Sequence, residues 1–183
     1  MKNILLLAIL SFSFLGLARA GDSCCALESP EARLAAANIV LPEVPTAIAN
    51  YVPTVRSGNI VFLAGQIAKG SDGKFITGKV GVDLTLEEGA AAARICAIQL
   101  IAALKAEIGD LSKVKRIVRV GGYVNCPAAY TAQSKVVNGA SDLLVEIFGD
   151  AGRHARVALG AASLPAGAPV EIEMMVEIAD CED

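Results

Sequence analysis

The sequence predicts an α+β domain in which one mixed sheet carries two helices on a single face. Three observations predict it. Val170–Ile178 alternates strictly: Val170, Ile172, Met174, Val176 and Ile178 share one face, and Glu171, Glu173, Met175 and Glu177 share the other. Thr85-Leu86-Glu87-Glu88 is a capping box that opens the strongest helical pattern in the chain. The patterns run strand, strand, helix, strand, helix, strand, strand, with no internal repeat, low-complexity tract or linker to divide them.

At 183 residues the chain suits one domain large enough to bury a core. It is 54% hydrophobic, 4% aromatic and free of Trp, so that core is expected to consist of Ala, Val, Ile and Leu. Lys2, the apolar run Ile4–Leu17 and Ala18-Arg19-Ala20 form a secretory signal pattern with an A-x-A cleavage site near Ala20. Residues 1–20 are therefore expected to be removed, and the mature protein to be exported, periplasmic or secreted. Residues 21–43 read as a leader, with a short helix over Pro30–Asn38, and residues 44–180 as the folded domain. Val52–Arg56 and Asn59–Gly65 read as strands joined at Ser57-Gly58, followed by a glycine-punctuated loop with a short strand near Lys74–Thr77. The helix after Thr85 carries the stripe Ala93, Ala97, Leu100, Ile101, Leu104 and Ile108, and Gly109 stops it. Val114–Val124 is a long strand, and a second helix spans roughly Ala129–Phe148.

Without Lys2 and Arg19 the 16 basic residues become 14 against 19 acidic ones, a net charge of −5. That balance argues against nucleic acid as a partner, which needs clustered Lys and Arg. The one dense basic run, Lys113, Lys115, Arg116 and Arg119, reads as a solvated strand edge. Beyond the signal no apolar run of about 18 residues exists, so no membrane span is expected in the mature protein. Five cysteines, Cys24, Cys25, Cys96, Cys126 and Cys181, would meet an oxidising compartment. Cys96 reads as a core residue, and a bridge from Cys24 or Cys25 to Cys181 would tie the termini together. No cysteine pair has zinc-ligand spacing, and His154 is the only histidine, so no metal site is expected.

Arg156 opens an otherwise small, apolar strand, and carboxylates line the polar face of the next one. A guanidinium fork matches a carboxylate bidentately, so the pair can form a site for a small anion. A solvated Arg or an ordinary surface ion pair is the plain alternative.

Three segments spread along the chain carry a family likeness: AIANYVPTVRSGNIVFLAGQIA, VNGASDLLVEIFGDAGRHAR and ARVALGAASLPAGAPVEIEM. From about Val44 to Ile178 the chain resembles the RidA/YjgF family of imine deaminases, in its chorismate-mutase-like branch, also labelled endoribonuclease. The resemblance implies the chorismate-mutase-like fold, a homotrimer with clefts between subunits, and no cofactor. It also implies a hydrolytic deaminase that converts 2-imino acids or their enamines to 2-keto acids and ammonia. By the same resemblance Arg156 binds the carboxylate, Glu171 handles water or protons, and Tyr51 closes the pocket. Gly65, Gln66 and Ala158 place backbone beside the ligand, and Asn138 matches a helix asparagine; Cys126, at a different place from the family's cysteine, either compensates for it at the site or is structural. Two positions depart from the family: Ala64 replaces a serine and Ala158 a cysteine.

Were the last two strands a tight hairpin about Ala166, Glu171 would lie opposite Ala162, about 20 Å from Arg156. Either another strand separates them, or the pair is completed across an interface. A trimeric carboxylate-binding or holdase protein of the cell envelope is the alternative function. Chorismate mutase needs more cationic groups than Arg156 supplies, endoribonuclease activity conflicts with the acidic balance, and a serine hydrolase would have to use His154.

Overall fold

The computed structural model describes residues 29–44 and 49–179. The signal segment and the cysteines near both termini, Cys24, Cys25 and Cys181, lie outside the described residues.

Five strands, β1 (Thr54–Ser57), β2 (Ile60–Ile67), β3 (Val114–Asn125), β4 (Ala155–Ala161) and β5 (Val170–Ile178), form one sheet in the order β1-β2-β5-β3-β4. All pairs are antiparallel except β3 with β4. The β5 alternation holds through every residue: even positions from Val170 to Ile178 are buried and the odd ones between them are half-exposed. Among the described residues three helices accompany the sheet: α1 (Pro30–Ala36), α2 (Leu86–Ile108) and α3 (Gln133–Phe148). The two long ones, α2 and α3, cover the face that presents Val61, Leu63, Val120, Val124, Ile172, Met174 and Val176, all at most 5% exposed.

Local chemistry explains where the long helices begin and end. The Thr85 hydroxyl accepts from the Glu88 amide at 3.2 Å, and the Glu88 carboxylate accepts from the Thr85 amide at 2.8 Å. Four orphan donors at a helix start would otherwise need water, and this reciprocal pair satisfies two. At the other end Gly109 takes φ 79°, which a β-carbon would disfavour. All six residues of the expected apolar stripe are buried. By length and composition α2 could cross a membrane, yet 56% of its apolar window is buried inside this fold.

The structure adds to or departs from the sequence reading at several places. The second helix starts at Gln133 rather than Ala129, because the chain first turns, with the Tyr130 amide donating to the Pro127 carbonyl at 3.0 Å. Near Lys74–Thr77 only an isolated bridge, Lys69 to Phe75, forms. The leader packs onto the fold: Leu34 is 4% exposed, and the Glu31 carboxylate accepts from the Leu111 amide at 2.9 Å. Arg119 leaves the solvated edge to pair with Glu173 at 3.0 Å.

Between α2 and α3 the backbones come close at Gly139, where a β-carbon would overlap the Ala90 carbonyl. Carbonyl oxygens in a helix cannot move aside as side chains can. Gly139→Val is therefore expected to destabilise the fold by about 2–3 kcal/mol, the upper part of the overpacking range, as measured by urea denaturation.

Candidate active site

The β3–α3–β4 crossover positions Arg156. β4 runs parallel to β3 at the sheet edge, with Arg156 beside Val120 and hence on the helix-covered face. Its side chain reaches over α3: Nη1 donates to Asn138 Oδ1 and to Ser141 Oγ, both at 2.9 Å, and Nη2 donates to the Ser134 carbonyl at 3.3 Å. Ser134, Asn138 and Ser141 fall at i, i+4 and i+7, one polar stripe on a helix otherwise buried through Val136, Val137, Ala140, Leu143 and Leu144. Three of the five guanidinium protons are thus used to hold the group. Nε–H and one Nη2–H remain without a partner among the described residues, on the edge that forms a bidentate fork. Arg156 is exposed on the single chain.

Glu171 sits on the opposite face. Its register partners are Tyr123 on β3 and Ile67 on β2. Gly65, at the irregularity in the β2–β5 register, lets the carboxylate lie against its backbone, because a β-carbon there would overlap Glu171. Partial burial, then the neighbouring charge of Glu173, raises the Glu171 pKa above the ordinary carboxylate value. Glu173 in turn accepts from Arg119 at 3.0 Å and from the Tyr123 hydroxyl at 3.2 Å. A cavity of about 250 Å³ opens beside it, lined by Val52, Val55, Phe62, Ala64, Arg119 and Met175 among others.

Arg156 and Glu171 do not meet within one chain. Arg156 aligns through Val120 with Met174, three residues from Glu171 and two strands away. With strands about 4.8 Å apart and a rise of about 3.3 Å per residue, their Cα atoms are about 14 Å apart, with side chains on opposite faces. Of the two arrangements open from sequence, β3 does separate the strands. Separation alone does not join the pair.

The other candidate residues divide between several places. Asn138 Oδ1 accepts directly from Arg156 Nη1 and so helps hold the guanidinium in place. Ala158 follows Arg156 on the same face and packs against the core. Gln66 pairs with Ile172 and so turns away from Gly65, lining a second cavity of about 420 Å³ with Lys69, Ile95, Ile98 and Gln99. Cys126 is buried, with Sγ 3.8 Å from the Gln133 amide and next to Gly160, four residues or about 13 Å along β4 from Arg156. Tyr51 is 52% exposed on the segment whose Pro53 carbonyl accepts from the Ala64 amide.

Sequence reading missed Ser134, Ser141, His154, Arg119 and Glu173 as parts of these clusters. The polar stripe on α3 was a usable signal for Ser141, whereas Ser134 contributes its backbone carbonyl. Pairing of Arg119 with Glu173 depends on cross-strand register, which no local pattern encodes.

Raising a carboxyl's pKa on folding means that its ionised form costs stability. The cost is full above the folded-state pKa and gone below the unfolded one. Glu171→Gln is therefore expected to raise the urea midpoint at pH 7, with the gain shrinking to nothing as pH falls below about 4. An unchanged midpoint at pH 7 would contradict this reading of the carboxylate.

Comparison with known proteins places the same segments in a wider set. Residues 31–178 match the family described as YjgF/chorismate mutase-like, putative endoribonuclease. Protein TCP17 of Trypanosoma cruzi is 45% identical over 148 residues, covering 80% of this chain and 92% of that protein. Among solved structures, one from Shewanella oneidensis, described as a putative endoribonuclease, is 38% identical with a TM-score of 0.79 over 82% of this chain and 99% of that one. A protein of unknown function from Agrobacterium tumefaciens is 43% identical with a TM-score of 0.76, covering 82% of this chain and 92% of its own.

Proposed function

From the premise that this chain belongs to the YjgF/chorismate mutase-like family, we propose that it is a hydrolytic deaminase of 2-imino acids, or of their enamine tautomers. One observation carries the reading: the Arg156 guanidinium is fixed by three hydrogen bonds from α3 and keeps a two-proton edge for a carboxylate. Subunits of a homotrimer would bring that edge to a neighbour's Glu171. The open sheet face, with Phe62 41%, Val118 37% and Leu159 50% exposed, supports such an assembly, since apolar groups of this size gain from being covered.

In the mechanism Arg156 grips the substrate carboxylate and sets the C=N carbon near Glu171. Glu171 takes a proton from water as the oxygen attacks that carbon, giving a tetrahedral carbinolamine. Glu171 returns that proton to nitrogen, then takes the carbinolamine hydroxyl proton as the C=O bond forms and delivers it to the same nitrogen, which leaves as ammonia. A carboxyl whose pKa is raised toward neutrality suits both halves of this transfer. Arg156 need only bind, because the imine carbon is already electrophilic.

Ala64 and Ala158 support a second reading, a trimer that binds small carboxylates without turning them over, since neither offers a side-chain proton donor beside the ligand. An amino-acid oxidase that makes 2-imino acids in the assay separates the two: faster keto-acid release supports the deaminase, and saturable 2-ketobutyrate binding without turnover supports the binder. Export belongs to the same proposal. Mass spectrometry of protein expressed with its full sequence is expected to find an N-terminus at Gly21 in the secreted or periplasmic fraction, and retention of residues 1–20 would contradict it.

A further inference from the structure

We propose that Ser141 and His154 are positioning residues for Arg156, linked in a one-directional chain of hydrogen bonds that begins at the Gly152 carbonyl and fixes the plane of the guanidinium. The proposal rests on reading Arg156 as the carboxylate clamp.

The direction of the chain follows from the groups themselves. His154 Nδ1 lies 2.6 Å from the Gly152 carbonyl oxygen, which can only accept, so Nδ1 carries the ring proton. In the neutral ring Nε2 then has only a lone pair. Ser141 Oγ lies 3.0 Å from Nε2 and donates its single proton there. Its lone pairs are left for Arg156 Nη1 at 2.9 Å. Every donor in the run has one acceptor, and the other tautomer would set two acceptors, Nδ1 and the Gly152 carbonyl oxygen, face to face.

The surroundings hold this state. Burial, and to a lesser degree the Arg156 charge, lower the His154 pKa, while its bond to the Gly152 carbonyl opposes them. The anchor is rigid as well: Gly152 is buried, and a β-carbon there would overlap the Leu144 carbonyl of α3. His154 precedes β4 by one residue, so the run ties the middle of α3, through Ser141, and the turn that follows it, through Gly152, to the start of the strand that bears Arg156. Asn138 Oδ1 and the Ser134 carbonyl accept the other two hydrogen bonds that hold the group. Without Ser141 the guanidinium retains two bonds and can swing about them.

Because His154 is the only histidine, 15N-histidine labelling reports on this ring alone. The wild-type spectrum is expected to show a protonated Nδ1 and a bare Nε2. Binding of 2-ketobutyrate and turnover of oxidase-generated imino acids would be measured for wild type, Arg156→Ala, Ser141→Ala, Ser141→Thr, His154→Leu and His154→Gln. Ser141→Ala and His154→Leu are expected to raise Kd and KM about tenfold, with kcat within about twofold. Ser141→Thr and His154→Gln, which keep a hydroxyl and an acceptor, are expected to stay within about threefold of wild type. If His154→Leu does not fold, Ser141→Ala and its threonine rescue decide the matter.

The relay is overturned by an Nε2–H tautomer, or by Ser141→Ala binding as wild type does while Arg156→Ala does not bind. A wild-type protein that binds 2-ketobutyrate no better than Arg156→Ala overturns the clamp itself, and the relay with it.

Discussion

Replacing Glu171 with Gln is expected to lower kcat for a 2-imino acid by roughly 100-fold to 10,000-fold, the range for a positioned general acid–base, while KM changes little. The amide keeps the size and hydrogen-bonding reach of the carboxylate against Gly65 but cannot take the proton of an attacking water. In the proposed mechanism carboxylate binding belongs to Arg156, so affinity is expected to be spared. Stability is expected to move the other way, since the substitution removes a charge that burial and Glu173 both disfavour. Loss of activity with gain of stability is the signature of a group kept for chemistry rather than for the fold. Steady-state kinetics with oxidase-generated substrate, beside urea denaturation, checks both halves.

Replacing Arg156 with Ala is expected to cut kcat/KM by about 100-fold to 1,000-fold and to abolish measurable 2-ketobutyrate binding, as expected when one partner of a hydrogen-bonded charge pair is lost. Arg156→Lys should fare almost as badly, for a reason visible in the structure. An ammonium has three protons, and Asn138 Oδ1, Ser141 Oγ and the Ser134 carbonyl would take all three. None would remain for a ligand. Arginine uses the same three acceptors and still has a fork to spare. A lysine variant of full activity would show that the substrate is held elsewhere.

Much of the fold was legible because it rests on local patterns. The β5 alternation, the capping box at Thr85 and the stop at Gly109 are each written in consecutive residues, and each stands in the structure. Asn138 was singled out from sequence, and in the structure its Oδ1 accepts from Arg156. Less legible was anything that depends on which strand lies beside which. Arg119 looked like part of a solvated basic run, and only the β3–β5 register brings it to Glu173. His154 looked like a mere entry to a strand, yet a 2.6 Å bond to Gly152 makes it part of the cluster around Arg156. Periodicity also could not reveal that Arg156 and Glu171 occupy opposite faces, because face assignment on β4 depends on its parallel pairing with β3.

That separation makes the assembly testable in a single mixing experiment. Arg156→Ala and Glu171→Gln chains, each expected to be inactive alone, would be unfolded together in equal amounts, refolded together and assayed. If each site takes Arg156 from one subunit and Glu171 from its neighbour, about a quarter of the sites in a randomly mixed, cyclic trimer contain both native residues, and about a quarter of wild-type activity returns. Activity no higher than that of the separate variants, in trimers shown by mass spectrometry to be mixed, would contradict a site shared between subunits.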